Sequence, residues 1–312
     1  MAGFKPEKLD KNGNKIKLPL SERIFDFCNI SFFVLFSAIM LLPFWNVFAI
    51  SLTGNAEYMR EAFILFPKEP TLEAYKYLFS TPLIPRAYLV TFTITIVGTF
   101  LSTLVTSMLA FGMTKPSLRG YKFIMIYLLI TMFFSGGLIP TYYNMTKTLK
   151  LSNNLLALVL PGTVSVFNFI VCRSFFKQLP VSMEESAKLD GANEFIILFK
   201  IIYPLSIPTL ATIAMFVAVG LWNSWFAAQL YMRDEKLYPL QLIVRNFIVR
   251  ETKPADMQNL EGLRDASGKR IYLNETGLKM AAAVATALPV VVIYPFIQKY
   301  FEKGMTIGAV KG

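Results

Sequence analysis

The sequence predicts an all-α integral membrane protein of six transmembrane helices with both termini in the cytoplasm. Three observations carry this. First, 54% of the 312 residues are apolar and only 16% are charged, and the mean hydropathy is +0.50. A soluble chain of this size carries more charge and shorter apolar runs. Second, segments near 24–52, 86–113, 121–143, 154–176, 202–232 and 279–301 each supply the roughly 20 apolar residues that a span needs. Third, cations crowd alternate short segments. Lys5, Lys8, Lys11, Lys15, Lys17 and Arg23 precede the first span, and Lys115, Arg119 and Lys122 follow the second. Arg173, Lys177, Lys188 and Lys200 sit in and beside the Glu185 loop, and Lys299, Lys303 and Lys311 close the chain. The short opposite loop, 144–153, holds only Lys147 and Lys150. Short basic loops stay inside, so the N-terminus, the 177–204 segment and the C-terminus share the cytoplasmic side.

The same bias explains the net charge of +11 without nucleic acid. Residues 1–23 form a basic cytoplasmic tail, 24–301 the membrane domain and 302–312 a cytoplasmic C-terminal tail, in which Gly304, Gly308 and Gly312 allow flexibility. Pro43 should kink or end span one. The external loop 53–85 is broken by Pro67, Pro70, Pro82 and Pro85, with one short amphipathic helix expected over Thr71–Phe79. Span two is rich in Thr, Ser, Gly and Ala and reads as a helix of the bundle core. Span three should break at Ser135–Pro140, where two glycines precede a proline. Span four carries Pro161-Gly162 and Asn168, and span five Gly220, Trp222, Asn223, Trp225 and Gln229. Residues 233–278 read as a second long external loop of mixed charge.

Enzyme chemistry finds little support. There is no histidine, which removes the commonest general base and metal ligand. Cys28 and Cys172 lie in apolar segments without metal or redox spacing. No phosphate-binding loop of Walker type and no paired-carboxylate site can be assembled, so no cofactor is expected in this chain.

The polar stretch Met183–Pro208 stands apart, set between two apolar segments. Ala187, Gly191, Phe195 and Phe199 recur every fourth residue, as one stripe of a helix does. Its small end would let another backbone approach, and its aromatic end could bury area in a partner cleft. Glu184, Glu185 and Asp190 place negative charge in the first turns, which favours a helix N-terminus.

The spacing is more specific. Glu185-Ser186-Ala187, three residues, Gly191, nine residues, Ile201, one residue and Tyr203-Pro204 resemble the Glu-Ala-Ala loop of ABC importer permeases. Ser186 and Tyr203 depart from the family pattern, which has Ala and Leu. FFSGGLIPTYY (133–143), the Pro-Gly of span four, LWNSWFAAQLYM (221–232) and the tail FEKGMTIGAVKG resemble the second permease of maltose-type carbohydrate importers. They are most similar to the oligosaccharide and polysaccharide branch often called the LplC type. The resemblance spans about 20–312 and implies the type I importer permease fold. It also implies a second, homologous permease, two ATP-binding subunits that bind ATP and magnesium, an extracytoplasmic sugar-binding protein and an oligosaccharide substrate, at a bacterial plasma membrane. It implies that Glu184, Glu185, Ser186, Ala187, Asp190, Gly191, Ala192, Phe195 and Phe199 couple the chain to an ATPase.

Asn168, Trp222, Asn223, Trp225 and Gln229 are the candidate sugar path. Amides suit hydroxyls and indoles suit the C–H faces of sugars, although the tryptophans equally suit bundle packing or interface anchoring. Asn223 is expected to matter more for uptake than Trp222, because an amide in lipid costs more than an indole. Two other functions remain open: an ABC permease for a non-sugar solute, and a secondary transporter or channel.

Overall fold

The structure is a computed structural model and describes residues 20–60, 63–115, 117–249 and 275–309. The basic residues of the N-terminal tail before Leu20, the GLRDASGKR stretch of 233–278 and Lys311 lie outside these. Among the described residues the regular structure is helical, with one isolated bridge between Thr53 and Pro70.

Three single helices have the length and hydropathy of a membrane span. These are α1 (Leu20–Ser51), α3 (Leu83–Gly112) and the helix that begins at Glu275. Between α1 and α3 lies α2 (Glu73–Ser80), the short helix expected in the first loop. Three further candidate spans are bent pairs. α4 (Tyr121–Phe133) meets α5 (Leu138–Thr148) at 112°, α6 (Leu156–Gly162) meets α7 (Val166–Phe176) at 50°, and α9 (Glu194–Leu205) meets α10 (Ile207–Trp222) at 87°. α8 (Val181–Leu189) precedes α9. α11 (Phe226–Tyr231), α12 (Leu240–Val249) and α13 (Glu275–Ala309) complete the order.

Each bend has a local cause. Between α4 and α5 Gly137 has φ 85°, a left-handed conformation that glycine enters without Cβ strain. Between α6 and α7 Ser165 is extended, and its hydroxyl caps α7 by accepting from the Asn168 N–H at 3.4 Å. Between α9 and α10 Ser206 leaves the helical region just before Pro208, and proline is favoured at the first helical positions.

Several expectations need correction. Of the two effects expected of Pro43, a kink or an end, the end does not occur, since α1 runs on to Ser51. The fifth span does not run from 202 to 232. Tyr203 and Pro204 belong to α9, α10 begins at Ile207, and Asn223 terminates it. The expected tail 302–312 continues α13 as far as Ala309, through Gly304 and Gly308. A glycine within a helix costs only about 1 kcal/mol, which neighbouring turns tolerate. The segment 233–278 is not all loop, since α12 buries Leu240, Leu242, Ile243, Val244 and Phe247.

α3 is the core helix that its composition predicts. It packs along α10 and against α7, with Thr91, Gly98, Ser102, Thr106 and Ser107 buried. A Cβ on Gly98 would come within 2.5 Å of the Leu221 side chain, so a larger residue there would require Leu221 to shift, and glycine lets α3 and α10 approach without it. The two ends of α3 sit in different clusters. Leu83, Ile84 and Ala87 pack with α2, α12 and the start of α13, whereas Ala110 and Phe111 pack with α7, α8 and α9. The outer faces of α1 and α4 carry exposed Phe, Leu and Ile side chains, as lipid-facing or partner-facing helices do.

Candidate functional site: an exposed helix and a groove at opposite ends of the bundle

Met183–Pro208 folds as two helices, not one. α8 ends in a Schellman turn: the Ala192 N–H donates to the Ala187 carbonyl at 2.9 Å and the Gly191 N–H to that of Lys188 at 3.0 Å. Gly191 takes φ 82°, which that turn requires. Asn193 then caps α9, its side-chain oxygen accepting from the Ile196 N–H at 2.9 Å. The single four-residue stripe is therefore corrected. Ala187 and Gly191 do not share a helix with Phe195 and Phe199, because the left-handed residue reverses the chain between them.

The faces differ from expectation as well. Ala187 is buried against the chain's own core beside Phe169, Cys172 and Leu198, so it cannot receive a partner directly. Ala192 packs on the same cluster. The exposed face of α8 carries Val181, Glu185, Ser186 and Leu189, followed by Asp190 and Gly191. Leu189 is 89% exposed, and a Cβ on Gly191 would meet nothing within 4 Å. Phe195 and Phe199 are exposed on α9, and the Phe199 ring meets that of Tyr203 edge-on at 4.9 Å.

Glu184 points inward to pair with Lys115, which follows α3. Lys115 lies 3.9 Å from Glu194 and 4.9 Å from the Phe111 ring centre. Lys188 pairs with Glu194 at 2.8 Å, and this hydrogen bond raises the pKa of its ammonium above the ordinary value. Lys115, Lys188 and Glu194 thus clamp α8 to α3 and α9. None was among the sequence candidates, since nothing in linear spacing joins position 115 to 184. Arg173 ties the same end together, donating to the Met113 carbonyl at 2.7 Å and to the Tyr121 hydroxyl. The departure at Tyr203 has a partner too, because its hydroxyl bonds that of Ser107 on α3. Chemically, α8 offers another protein a firmly held helix with an apolar and acidic outer face.

The sugar-path candidates separate into two places. Trp222, Asn223 and Trp225 line a groove of about 630 Å³ between α10, α12 and α13. Asn168 lies 5% exposed beside a second groove of about 490 Å³ with Gly220 and Ser224. Trp222 is buried, donates from its indole to the Thr286 carbonyl at 3.3 Å and meets Phe92 edge-on at 5.2 Å. It is a packing residue joining α3, α10 and α13. Asn223 is exposed, and its amide donates to the Val219 carbonyl at 2.9 Å and accepts from Gln241 at 3.1 Å. Gln229 does not line the groove; its oxygen accepts from Arg245 at 3.1 Å. The Arg245 guanidinium sits 4.0 Å from the centre of the Trp225 ring. Gln241 and Arg245 were missed because their helix was read as loop.

This division sets an expectation. Trp222→Ala should lower stability by about 3 kcal/mol, the scale of an aromatic truncation in a packed core. Asn223→Leu should leave stability near wild type and reduce uptake. Thermal unfolding of the purified complex in detergent, alongside uptake, checks both. Equal stability of the two variants would contradict the packing role.

The comparisons with known proteins agree with this architecture. The model of the binding-protein-dependent transport system inner membrane component family matches residues 85–307. Protein LplC of Bacillus subtilis is 41% identical over 290 residues, covering 93% of this chain and 96% of that protein. The polygalacturonan/rhamnogalacturonan transport system permease protein YtcP of the same organism is 39% identical over 293 residues, covering 94% and 100%. The arabinooligosaccharides transport system permease protein AraQ of Halalkalibacterium halodurans is 26% identical, covering 90% and 94%. Among solved structures, a chain of a bacterial ABC transporter involved in the import of the acidic polysaccharide alginate superposes with TM-score 0.84 at 28% identity, covering 92% of this chain and 100% of that one.

Proposed function

The chain belongs to the family of binding-protein-dependent transport system inner membrane components, and from that premise we propose that it is one of two different permeases of an ATP-driven oligosaccharide importer. As a family member it is a multi-pass subunit of an ABC transporter, not an enzyme. Its relatives' names speak for sugar: polygalacturonan and rhamnogalacturonan, arabinooligosaccharides and alginate are all built of linked sugars. The observation that carries the proposal is the identity of about two residues in five over nearly the whole length of LplC and YtcP.

In this reading α8 docks into a cleft of an ATP-binding subunit at the cytoplasmic end. Val181, Glu185, Ser186, Leu189, Asp190 and Gly191 face that partner, and Phe195 and Phe199 flank it. The Lys115 and Glu194 clamp makes the helix move with α3 and α9, so closure of the ATPases is passed to the bundle as a rigid push. Substrate, handed over by an external binding protein, passes between this chain and a homologous second permease. Six spans enclose only one side of a path wide enough for sugar.

Purification settles the assembly. The chain is expected to co-purify with a related but different permease and two ATP-binding subunits, and proteoliposomes of that complex should take up labelled oligosaccharide only with ATP inside. Transport by this chain alone, or without an ATPase, would contradict the proposal.

A further inference from the structure

We propose that Arg245 selects acidic sugars by binding the carboxylate of a uronic-acid unit in the groove between α10, α12 and α13. The inference rests on the oligosaccharide reading above and deepens it. Two features of the groove point this way.

First, among the described residues that line it, Arg245 is the one that carries a charge. The other polar groups are the amides of Asn223 and Gln241, the Thr286 hydroxyl and the Trp indoles. Among the described residues no carboxylate lies within ion-pair distance of the guanidinium. Neutral groups hold it instead: the Trp225 ring on one side and the Gln229 amide at 3.1 Å. A guanidinium has five N–H donors in a planar fork that matches a carboxylate with two parallel bonds. Stacking and one amide bond fix the fork without neutralising it. A half-buried cation with no carboxylate partner among the described residues is open to an anionic ligand.

Second, the surroundings suit a sugar ring that bears this carboxylate. Asn223 is exposed at the groove beside Gln241, and these amides can exchange hydrogen bonds with hydroxyls. Trp225 adds aromatic surface for ring C–H groups. The volume of about 630 Å³ accommodates a short saccharide segment. A neutral sugar would leave the guanidinium without its anion, whereas a uronate supplies a charge-assisted pair. Gln229 acts as the positioning residue that aims Arg245.

The test uses the whole importer in proteoliposomes with one and the same binding protein in every arm. The probes are galacturonate and alginate tri- and tetrasaccharides, each beside its carboxyl-reduced, neutral counterpart. Wild type is expected to favour at least one acidic series over its neutral form. Arg245→Gln should lower that acid-to-neutral ratio by about tenfold, the equivalent of one charged hydrogen-bond pair. Arg245→Lys, which keeps the charge and loses the fork, should recover part of it. If Arg245→Gln does not assemble, Gln229→Leu is expected to lower the same ratio. Equal or better uptake of the neutral forms by wild type, or an unchanged ratio in the variants, overturns the role of Arg245 and leaves the oligosaccharide reading standing. Uptake of neither form overturns the role of Arg245, whereas the oligosaccharide reading falls only if the complex takes up no oligosaccharide at all.

Discussion

Gly191→Arg should abolish ATP-driven uptake while the chain still inserts and assembles its helices. Two costs arise at this position, and they are separable. The first is conformational: Gly191 sits at φ 82°, where a residue with a Cβ pays about 1–2 kcal/mol. Nothing lies within 4 Å of that Cβ, so the chain itself has room and only this local strain applies. The second arises if α8 docks on an ATP-binding subunit as proposed. A long cation at the exposed end of α8 would be buried against the ATPase without a partner, which costs several kcal/mol. Gly191→Asn isolates the two, because asparagine tolerates the left-handed region and carries no charge. It should retain most uptake, Gly191→Ala somewhat less, and Gly191→Arg none. Uptake and ATP hydrolysis at matched membrane levels give the ranking. If Gly191→Ala were as inactive as Gly191→Arg, the turn and not the contact would be the essential feature.

The second large effect is an all-or-none difference in sidedness. About 30 Å of helix separates Thr91 from Phe111, the thickness of the hydrocarbon core. At the first end, the Leu240 N–H donates to the Thr91 hydroxyl at 2.8 Å, just beyond the turn containing Lys236. At the other, Phe111 packs in the cluster that holds α8 and α9. Single cysteines at Lys236 and Leu189, both exposed, in a Cys28→Ser, Cys172→Ala background should therefore label oppositely. An impermeant thiol reagent added to intact cells is expected to modify position 236 and spare 189. Modification of 189 from outside would reverse the orientation and remove α8 from the side where ATP is found.

What could be read in the sequence follows from the kind of signal each feature leaves. α3 announced itself through Thr, Ser and Gly, since these side chains mark close helix contact, and Gly98 against Leu221 is that contact. The break before Leu138 was legible because Gly136, Gly137 and Pro140 have few alternatives. The loop segment was located by its spacing, but its shape was misread. A four-residue recurrence cannot tell one helix from two joined by a left-handed glycine, and Gly191 was counted as a helical position when it ends the helix. Periodicity also says which residues share a face without saying what the face meets; Ala187 meets its own core. Trp222 and Asn223 could be separated by burial alone, and burial is a property of the packed bundle. α12 was missed although Leu240, Ile243, Val244 and Phe247 recur at helical spacing. It is too short to span a membrane, and its polar neighbours hid it in a loop. With it went Arg245 and Gln241, the two polar groups that α12 contributes to the groove.

The central claim is that α8 is the contact through which an ATP-binding subunit drives this chain. A cysteine at Leu189, the most exposed large apolar residue of the helix, tests it most directly. The purified complex, cysteine-free elsewhere in this chain, is treated with a short photoactivatable cross-linker attached at position 189, and the products are separated by mass. The expected result is a cross-link to the ATP-binding subunit, in higher yield than from a control cysteine at Lys236, and lost in Gly191→Arg. No cross-link to that subunit from 189, or equal yield from 236, would contradict the account.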